Sequence, residues 1–283
     1  RFKLEREKKS PRWIGNSDTE TMLACFEAYG FHNSIQKFVG MFSLALWDQK
    51  LSCLYLARDR IGEKPLYYGN QGGLYFFASE LKAIKAHPKF QDKINRNALS
   101  LYLRHNYIPA PFSIYENVFK LPAGNYIRLG IDKTPKVYWS LEKEILKKEN
   151  NFISFNNCLD DLNELLTNTI RLQMSSDVPL GAFLSGGVDS SLIVAMMQEI
   201  SSKPIETFTI GFAEKEYDEA KYAKNIANFL GTNHNEHYMS PKETIDVIPS
   251  LCRIYDEPFS DSSQIPTSLI SKIARKKVTV SLS

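Results

Sequence analysis

The densest chemistry in this sequence lies in one run, Ser185-Gly186-Gly187-Val188-Asp189-Ser190-Ser191. It follows a short apolar stretch, residues 179–184, and leads into an apolar-periodic one, 190–200. That order predicts strand, turn and helix. A helix start leaves backbone N–H groups unpaired, and its dipole favours an anion. Gly186 and Gly187 carry no Cβ, so the backbone can turn tightly and approach that anion closely. Ser185, Ser190 and Ser191 add hydroxyl donors, and the whole reads as a cradle for phosphate or pyrophosphate. Asp189 would repel the same anion unless a divalent cation lay between them; Mg²⁺ prefers hard oxygen ligands of this kind. A Gly-Gly pair alone would describe an N-cap with a flexible turn, whereas the full pattern in this context predicts a nucleotide site. No Lys follows the glycines to neutralise a γ-phosphate, which disfavours a plain ATPase.

Around this loop the second half of the chain alternates strands and helices. Helices are expected at 159–170, 190–200, 218–230 and 265–276, and strands at 179–184, 206–212, 234–238 and 278–282. That rhythm predicts a doubly wound parallel α/β sheet. The first half differs. A helix at 17–29 ends at Gly30, and apolar runs at 41–47 and 51–57 form a hairpin. Runs at 65–68 and 74–78, around a turn at 70–73, form a second. A short helix at 97–104 and a strand at 126–129 follow. Stacked hairpins predict a layered antiparallel sheet. The polar stretch 142–157 marks the boundary, giving domains of 1–150 and 151–283.

Composition narrows the classes. The chain has 283 residues, 43% hydrophobic and 24% charged, so a packed core is expected and disorder is not. A net charge of +3 makes no case for nucleic-acid or membrane partners. Cys25, Cys53, Cys158 and Cys252 are scattered, without a C-x-x-C pair, so neither a disulfide framework nor a zinc site is expected. No apolar run reaches membrane-span length and no signal peptide is visible, which leaves the cytoplasm as the default. The chain begins at Arg1 and stops on the strand-like run 278–283, so it reads as an internal fragment.

The 185–191 loop resembles the pyrophosphatase loop of ATP-dependent ligases that adenylate a carboxyl or carbonyl group. Its surroundings resemble glutamine-dependent (class B type) asparagine synthetases. The carrying motifs are Ser17-Asp18-Thr19-Glu20, 40–48, Arg58-Asp59 to Tyr68, 78–83, Leu121-Pro122-Ala123-Gly124, 175–179, Asp256-Glu257-Pro258-Phe259, Asp261-Ser262-Ser263 and 280–283. They occur in family order over nearly the whole chain. The resemblance implies an N-terminal glutamine amidotransferase of the Ntn-hydrolase type and a C-terminal ATP-pyrophosphatase domain. It implies glutamine, aspartate and ATP as substrates, Mg²⁺ as cofactor, and small molecules rather than macromolecules as partners, with a homodimer as the assembly. A related acceptor such as a sugar acid, or a non-catalytic ATP-binding relative, stays open.

Residue by residue, the resemblance makes Asp18 the ligand of the glutamine α-amino group, against the plainer reading of a helix cap. For ATP it implies backbone groups of Leu184, Ile210 and Ser283 at strand ends, with Ser185, Gly186, Gly187, Asp189 and Ser190 on the phosphates and Asp189 on Mg-pyrophosphate. Glu257 and Asp261 face the substrate or metal, or cap the helix after Pro258. Arg58-Asp59 and 62–65 shape a loop beside the glutamine site, and Glu80 anchors sheet to helix. The family nucleophile, an N-terminal cysteine whose amino group is its base, has no counterpart in this sequence. Cys25 follows the Asp18 motif and is no candidate, so no catalytic nucleophile is assigned.

Overall fold

A computed structural model describes residues 2–9, 11–147, 154–212 and 218–283. The chain forms two compact units, Arg1–Asn150 with Asp256–Phe259, and Asn151–Tyr255 with Ser260–Ser283. The expected boundary near residue 150 lies among 148–153, outside the described residues. Among the described residues no helix is long and apolar enough to cross a membrane.

The strands of the first unit are β1 (Ser43–Asp48), β2 (Cys53–Arg58), β3 (Tyr67–Gln71), β4 (Leu74–Ala78), β5 (Val118–Lys120), β6 (Asn125–Leu129) and β7 (Lys136–Val137). Its helices are α1 (Phe2–Arg6), α2 (Asp18–Tyr29), α3 (Phe31–Ile35), α4 (Leu81–Lys85), α5 (Arg96–His105) and α6 (Leu141–Lys147). Two antiparallel sheets result, ordered β1-β2-β6-β7 and β4-β3-β5. The β3–β4 turn is tighter than its sequence suggests. Gln71 pairs with Leu74, leaving Gly72 and Gly73 at φ 59° and 82°, the left-handed pair of a type I′ turn. Gln71 stays in the strand because its amide donates to Gln91 O and Glu116 O, at 2.9 and 3.0 Å, and accepts from Gln91 N–H.

Pleat alternation then builds layers. Leu54, Leu56 and Ile127 face Leu66, Tyr68 and Leu121 in one apolar cluster. The opposite face of the same strands, Ala57 and Tyr126, packs on Phe26, Phe31 and Ile35 of α2 and α3. Phe76 and Val118 pack on Leu81, Ile84 and Ala98 of α4 and α5. The first unit is therefore layered helix–sheet–sheet–helix.

The second unit runs α7 (Phe155–Met174), β8 (Leu180–Phe183), α8 (Val188–Ile200), β9 (Glu206–Phe212), α9 (Ala220–Leu230), β10 (Asn233–Met239), α10 (Pro241–Ile254), α11 (Gln264–Ala274) and β11 (Val280–Leu282). Its sheet is parallel, ordered β10-β9-β8-β11. Ala182 and Leu184 pack on Val194, Met197, Ala223 and Ala227 from α8 and α9. On the other face Phe183 and Phe208 pack on Ile270, Ile273 and Ala274 of α11. Helices thus cover both faces, and the chain as a whole is mixed α/β. Helix α10 is absent from the sequence expectation. A capping box between Ser240 and Glu243 starts it, with Pro241 in the first turn, while Pro249 inside it masks the periodicity.

Candidate functional site

Strand β8 delivers the loop. Leu184 N–H donates to Phe208 O at 2.9 Å, which ties the loop base to β9. Helix α8 then begins at Val188, two residues earlier than the apolar periodicity alone indicates, so Asp189 and Ser190 lie in its first turn. Gly187 is the N-cap and supplies no side-chain bond. The first-turn N–H groups therefore face outward with the positive end of the helix dipole. Gly186 sits at φ 86°. A Cβ there would meet Ala223 N and Tyr222 Cβ at 2.9 Å, so only glycine lets the loop lie this close to α9.

The serines are pre-arranged. Ser185 and Ser190 hydroxyl oxygens are 2.9 Å apart, and Gly187 N–H donates to Ser185 Oγ at 3.3 Å. Ser191 Oγ donates to Gly187 O at 2.6 Å, which turns that hydroxyl away from the cradle. Asp189 is exposed beside the two serines. Hydroxyls, N–H groups and one free carboxylate fit an anion held together with a hard divalent cation.

A cavity of about 650 Å³ opens beside this loop at the C-terminal ends of the strands. Leu184, Ser185 and Ile210 line it, together with Phe208, Thr209, Phe212, Met239, Thr244, Ser263, Pro266 and Ile270. The crevice past the carboxyl ends of parallel strands is where α/β sheets bind ligands. Gly186, Gly187, Asp189 and Ser190 flank it on the loop. Ser283 follows β11, next to β8, and does not line the cavity. Sequence reasoning missed α10, which brings Thr244 to the cavity and whose only signal was the Ser240/Glu243 capping pair; the helix that becomes α11, bringing Ile265, Pro266 and Ile270, was expected at 265–276.

In the first unit the cap of α2 is Ser17, whose Oγ accepts from Glu20 N–H at 3.2 Å. Asp18 is thus not the cap. It lines a cavity of about 400 Å³ with Thr21, Met22, Cys25 and Lys37. Cys25 has its thiol pushed up by burial, with Lys37 opposing, so it is a poor nucleophile. Asp59 organises the adjacent loop. It is 1% exposed and accepts N–H bonds from Phe42, Ile61, Gly62, Glu63 and Lys64 at 2.6–3.3 Å. Arg58 closes the same loop by donating to Gly62 O, Lys64 O and Leu121 O.

Three further carboxylates singled out in the sequence have these partners. Glu80 precedes α4 without a side-chain cap and pairs with Lys82 at 3.3 Å. Glu257 belongs to the first unit, where it accepts from Ile114 N–H at 2.8 Å and pairs with Lys120. Its carboxylate is thus engaged within the first unit. Asp261 accepts from Ser263 N–H at 2.8 Å, a bond that holds its carboxyl below the usual range.

Comparison with known proteins matches residues 1–139 to a glutamine amidotransferase domain and 161–283 to asparagine synthase. A Methanocaldococcus jannaschii protein, whose name proposes a second glutamine-hydrolysing asparagine synthetase, is 38% identical over 100% of this chain and 53% of its own. Glutamine-hydrolysing asparagine synthetase 1 of Bacillus subtilis is 33% identical over 99% of this chain and 43% of its own. A Mycobacterium tuberculosis protein, whose name makes the same proposal as the first, is 30% identical over 95% and 41%. The chain spans about half the length of these relatives or somewhat less. With residues 1–139 matching the amidotransferase, residues 161–283 matching the synthase, and these relatives matched over nearly the whole chain, the chain belongs to the glutamine-dependent asparagine synthetase family.

Proposed function

We propose that this chain supplies the nucleotide-activating core and part of the glutaminase of an enzyme that makes asparagine. The supporting observation is the glycine cradle at the start of α8, open beside a largely apolar cavity at the ends of β8 and β9. The helix–sheet–sheet–helix layering supports an Ntn-hydrolase-type first unit, and the parallel sheet with its loop supports an ATP-pyrophosphatase second unit.

In this reading adenine enters the apolar cavity and is recognised by backbone groups at Leu184 and Ile210. Ser185, Gly186, Gly187 and Ser190 grip the β- and γ-phosphates. Asp189 would hold Mg²⁺, which when bound supplies the positive charge that lets carboxylate and pyrophosphate coexist. An oxygen of the aspartate side-chain carboxylate attacks the α-phosphorus, and the bond to the bridging oxygen breaks as pyrophosphate leaves. Ammonia then attacks the acyl carbon, the bond to AMP breaks and a proton departs, giving asparagine. Asp18 binds the glutamine amino group in the first unit. The reaction belongs in the cytoplasm, where these metabolites meet.

The test is pyrophosphate release by the enzyme containing this chain, with ATP, Mg²⁺ and a panel of carboxylates. Release that depends on aspartate and is lost in Asp189→Ala is expected. Release with a sugar acid but not with aspartate would reassign the acceptor. Unchanged release in Asp189→Ala would remove the loop from the reaction.

A further inference from the structure

The second unit is not continuous in sequence. Its chain stops at Tyr255 and resumes at Ser260, and the strap between them, Asp256–Phe259, belongs to the first unit. Both breaks fall beside helices that wall the nucleotide cavity. Tyr255 is the C-cap of α10, its N–H donating to Leu251 O at 2.9 Å. Ser263 is the N-cap of α11. Thr244 of α10, and Ser262, Ser263, Ile265 and Pro266 around the start of α11, line that cavity.

The strap is held within the first unit mainly through its carboxylates. Glu257 accepts from Ile114 N–H at 2.8 Å and from the Tyr67 hydroxyl at 3.5 Å, and it pairs with Lys120. The Lys120 ammonium also donates to Ile108 O. Asp256 pairs with Lys82 at 3.4 Å. The Glu257 and Lys120 side chains are only 10% and 18% exposed, so water replaces neither partner easily. Removing one member of such a pair leaves the other charge uncompensated. Burial, and then the Glu257 and Asp256 charges, push the Tyr67 hydroxyl up, which keeps it a donor. The receiving wall is core: Ile108, Ile114 and Val118 are buried, and Ser113 Oγ donates to Val118 O at 2.7 Å.

Little slack separates this anchor from the cavity wall. Pro258 has its φ fixed by its ring. Asp261 Oδ1 accepts from Ser263 N–H at 2.8 Å, and Asp261 O accepts from Gln264 N–H at 3.3 Å. A turn pinned in this way passes a displacement on to the helix it starts. We propose that Glu257 and Lys120 are positioning residues for the nucleotide site: their pair fixes the strap, and the strap fixes the start of α11 as a wall of the cavity. Lys120 does not line that cavity and acts through Glu257. The inference rests on the reading of the cavity as the ATP site. Linkage makes the effect mutual: a docked strap raises ATP affinity, and bound ATP favours the docked strap by the same factor.

Calorimetric titration of the 283-residue chain and its variants with Mg-ATP tests this, under conditions where circular dichroism shows each variant folded. Lys120→Met and Glu257→Gln should each weaken ATP by about fivefold or more. Lys120→Arg, which keeps the charge, should hold affinity close to that of the unaltered chain. Lys93→Met, which removes an exposed first-unit ion pair with Glu116, should leave it unchanged. A merely structural role for Lys120 would lower the urea midpoint without moving the affinity of the folded chain. Hydrogen exchange gives the reciprocal readout: Mg-ATP should slow exchange at Ile114 N–H in the unaltered chain and not in Lys120→Met. If the Met variant fails to fold, exchange at Ile114 in the unaltered chain decides. Unchanged ATP affinity in Lys120→Met and Glu257→Gln would overturn the proposal and leave the ATP reading standing. So would Ile114 exchange that ATP does not slow. Failure of the unaltered chain to bind Mg-ATP would remove the ATP reading and this inference with it.

Discussion

Gly186→Ala isolates the steric requirement of the phosphate loop. At φ 86° an alanine occupies the left-handed region at a cost of about 1–2 kcal/mol. Its Cβ would also lie 2.9 Å from Ala223 N and from Tyr222 Cβ, with Tyr222 C at 3.3 Å. Two of these contacts are to the α9 backbone, which cannot rotate away, so the loop or the helix must move. Overpacking of this kind costs about 1–3 kcal/mol. The sum, about 2–5 kcal/mol, should appear as a lowered urea midpoint for the second unit. Gly187→Ala is the internal control. Its backbone is at φ −72°, and an added Cβ meets only Ser185 Oγ, at 3.4 Å. It should change stability by less than about 1 kcal/mol, within the ordinary helix-start range, yet still weaken Mg-ATP binding by intruding on the anion. Unfolding curves together with calorimetric ATP titration of both variants separate the two effects. Equal destabilisation by the two substitutions, or an unshifted midpoint in Gly186→Ala, would refute the account of why this loop needs two glycines for two reasons.

Asp59→Asn should destabilise the first unit by about 3 kcal/mol or more, because the amide nitrogen faces N–H donors that a carboxylate oxygen satisfied; denaturant unfolding of that unit reads it. Glu243 gives a pH prediction. Its carboxyl is held down to about 2 by Ser240 N–H and hydroxyl and then by His237. A depressed folded value stabilises above the unfolded value, near 4.3, and that contribution is lost as pH falls towards 2. Acid titration of helix content should therefore lose a component between those values that Glu243→Gln lacks. The 283-residue polypeptide should release no ammonia from glutamine, since in the amidotransferase unit Cys25 is a poor nucleophile and Cys53 is buried, while the exposed Cys158 and Cys252 belong to the second unit; a coupled ammonia assay checks it.

In the layered first unit several charged side chains serve packing more than chemistry. A carboxylate at Asp59, 1% exposed, is sustained by five backbone donors, and the same loop is stitched from the other side by Arg58. Such a loop is stiff before any ligand arrives. Preorganised loops hold neighbouring ligand groups without an ordering cost at binding. Asp18, released from capping by Ser17, is the carboxylate left available beside it.

The amino-acid sequence was enough to identify what depends on neighbours along the chain. The strand–turn–helix at 185–191, the hairpins at β1–β2 and β3–β4, and the alternation of strands and helices in the second half are local patterns of period and turn chemistry. Local patterns err at edges. Gln71 joins a strand through contacts to Gln91 and Glu116, distant in sequence, and α8 starts at Val188, an exposed residue that the apolar periodicity does not mark. Only the tertiary structure decided which carboxylates are free. Asp18, Asp59, Glu80 and Glu257 are alike in sequence, yet one lines a cavity, one is encased by N–H groups, one sits on the surface and one is paired in the first unit. Charge availability depends on what folding brings within a few ångströms, and the spacing of residues along the chain does not contain that. For the same reason the meeting of Leu184 with Ile210 in one cavity follows from strand order rather than from any motif.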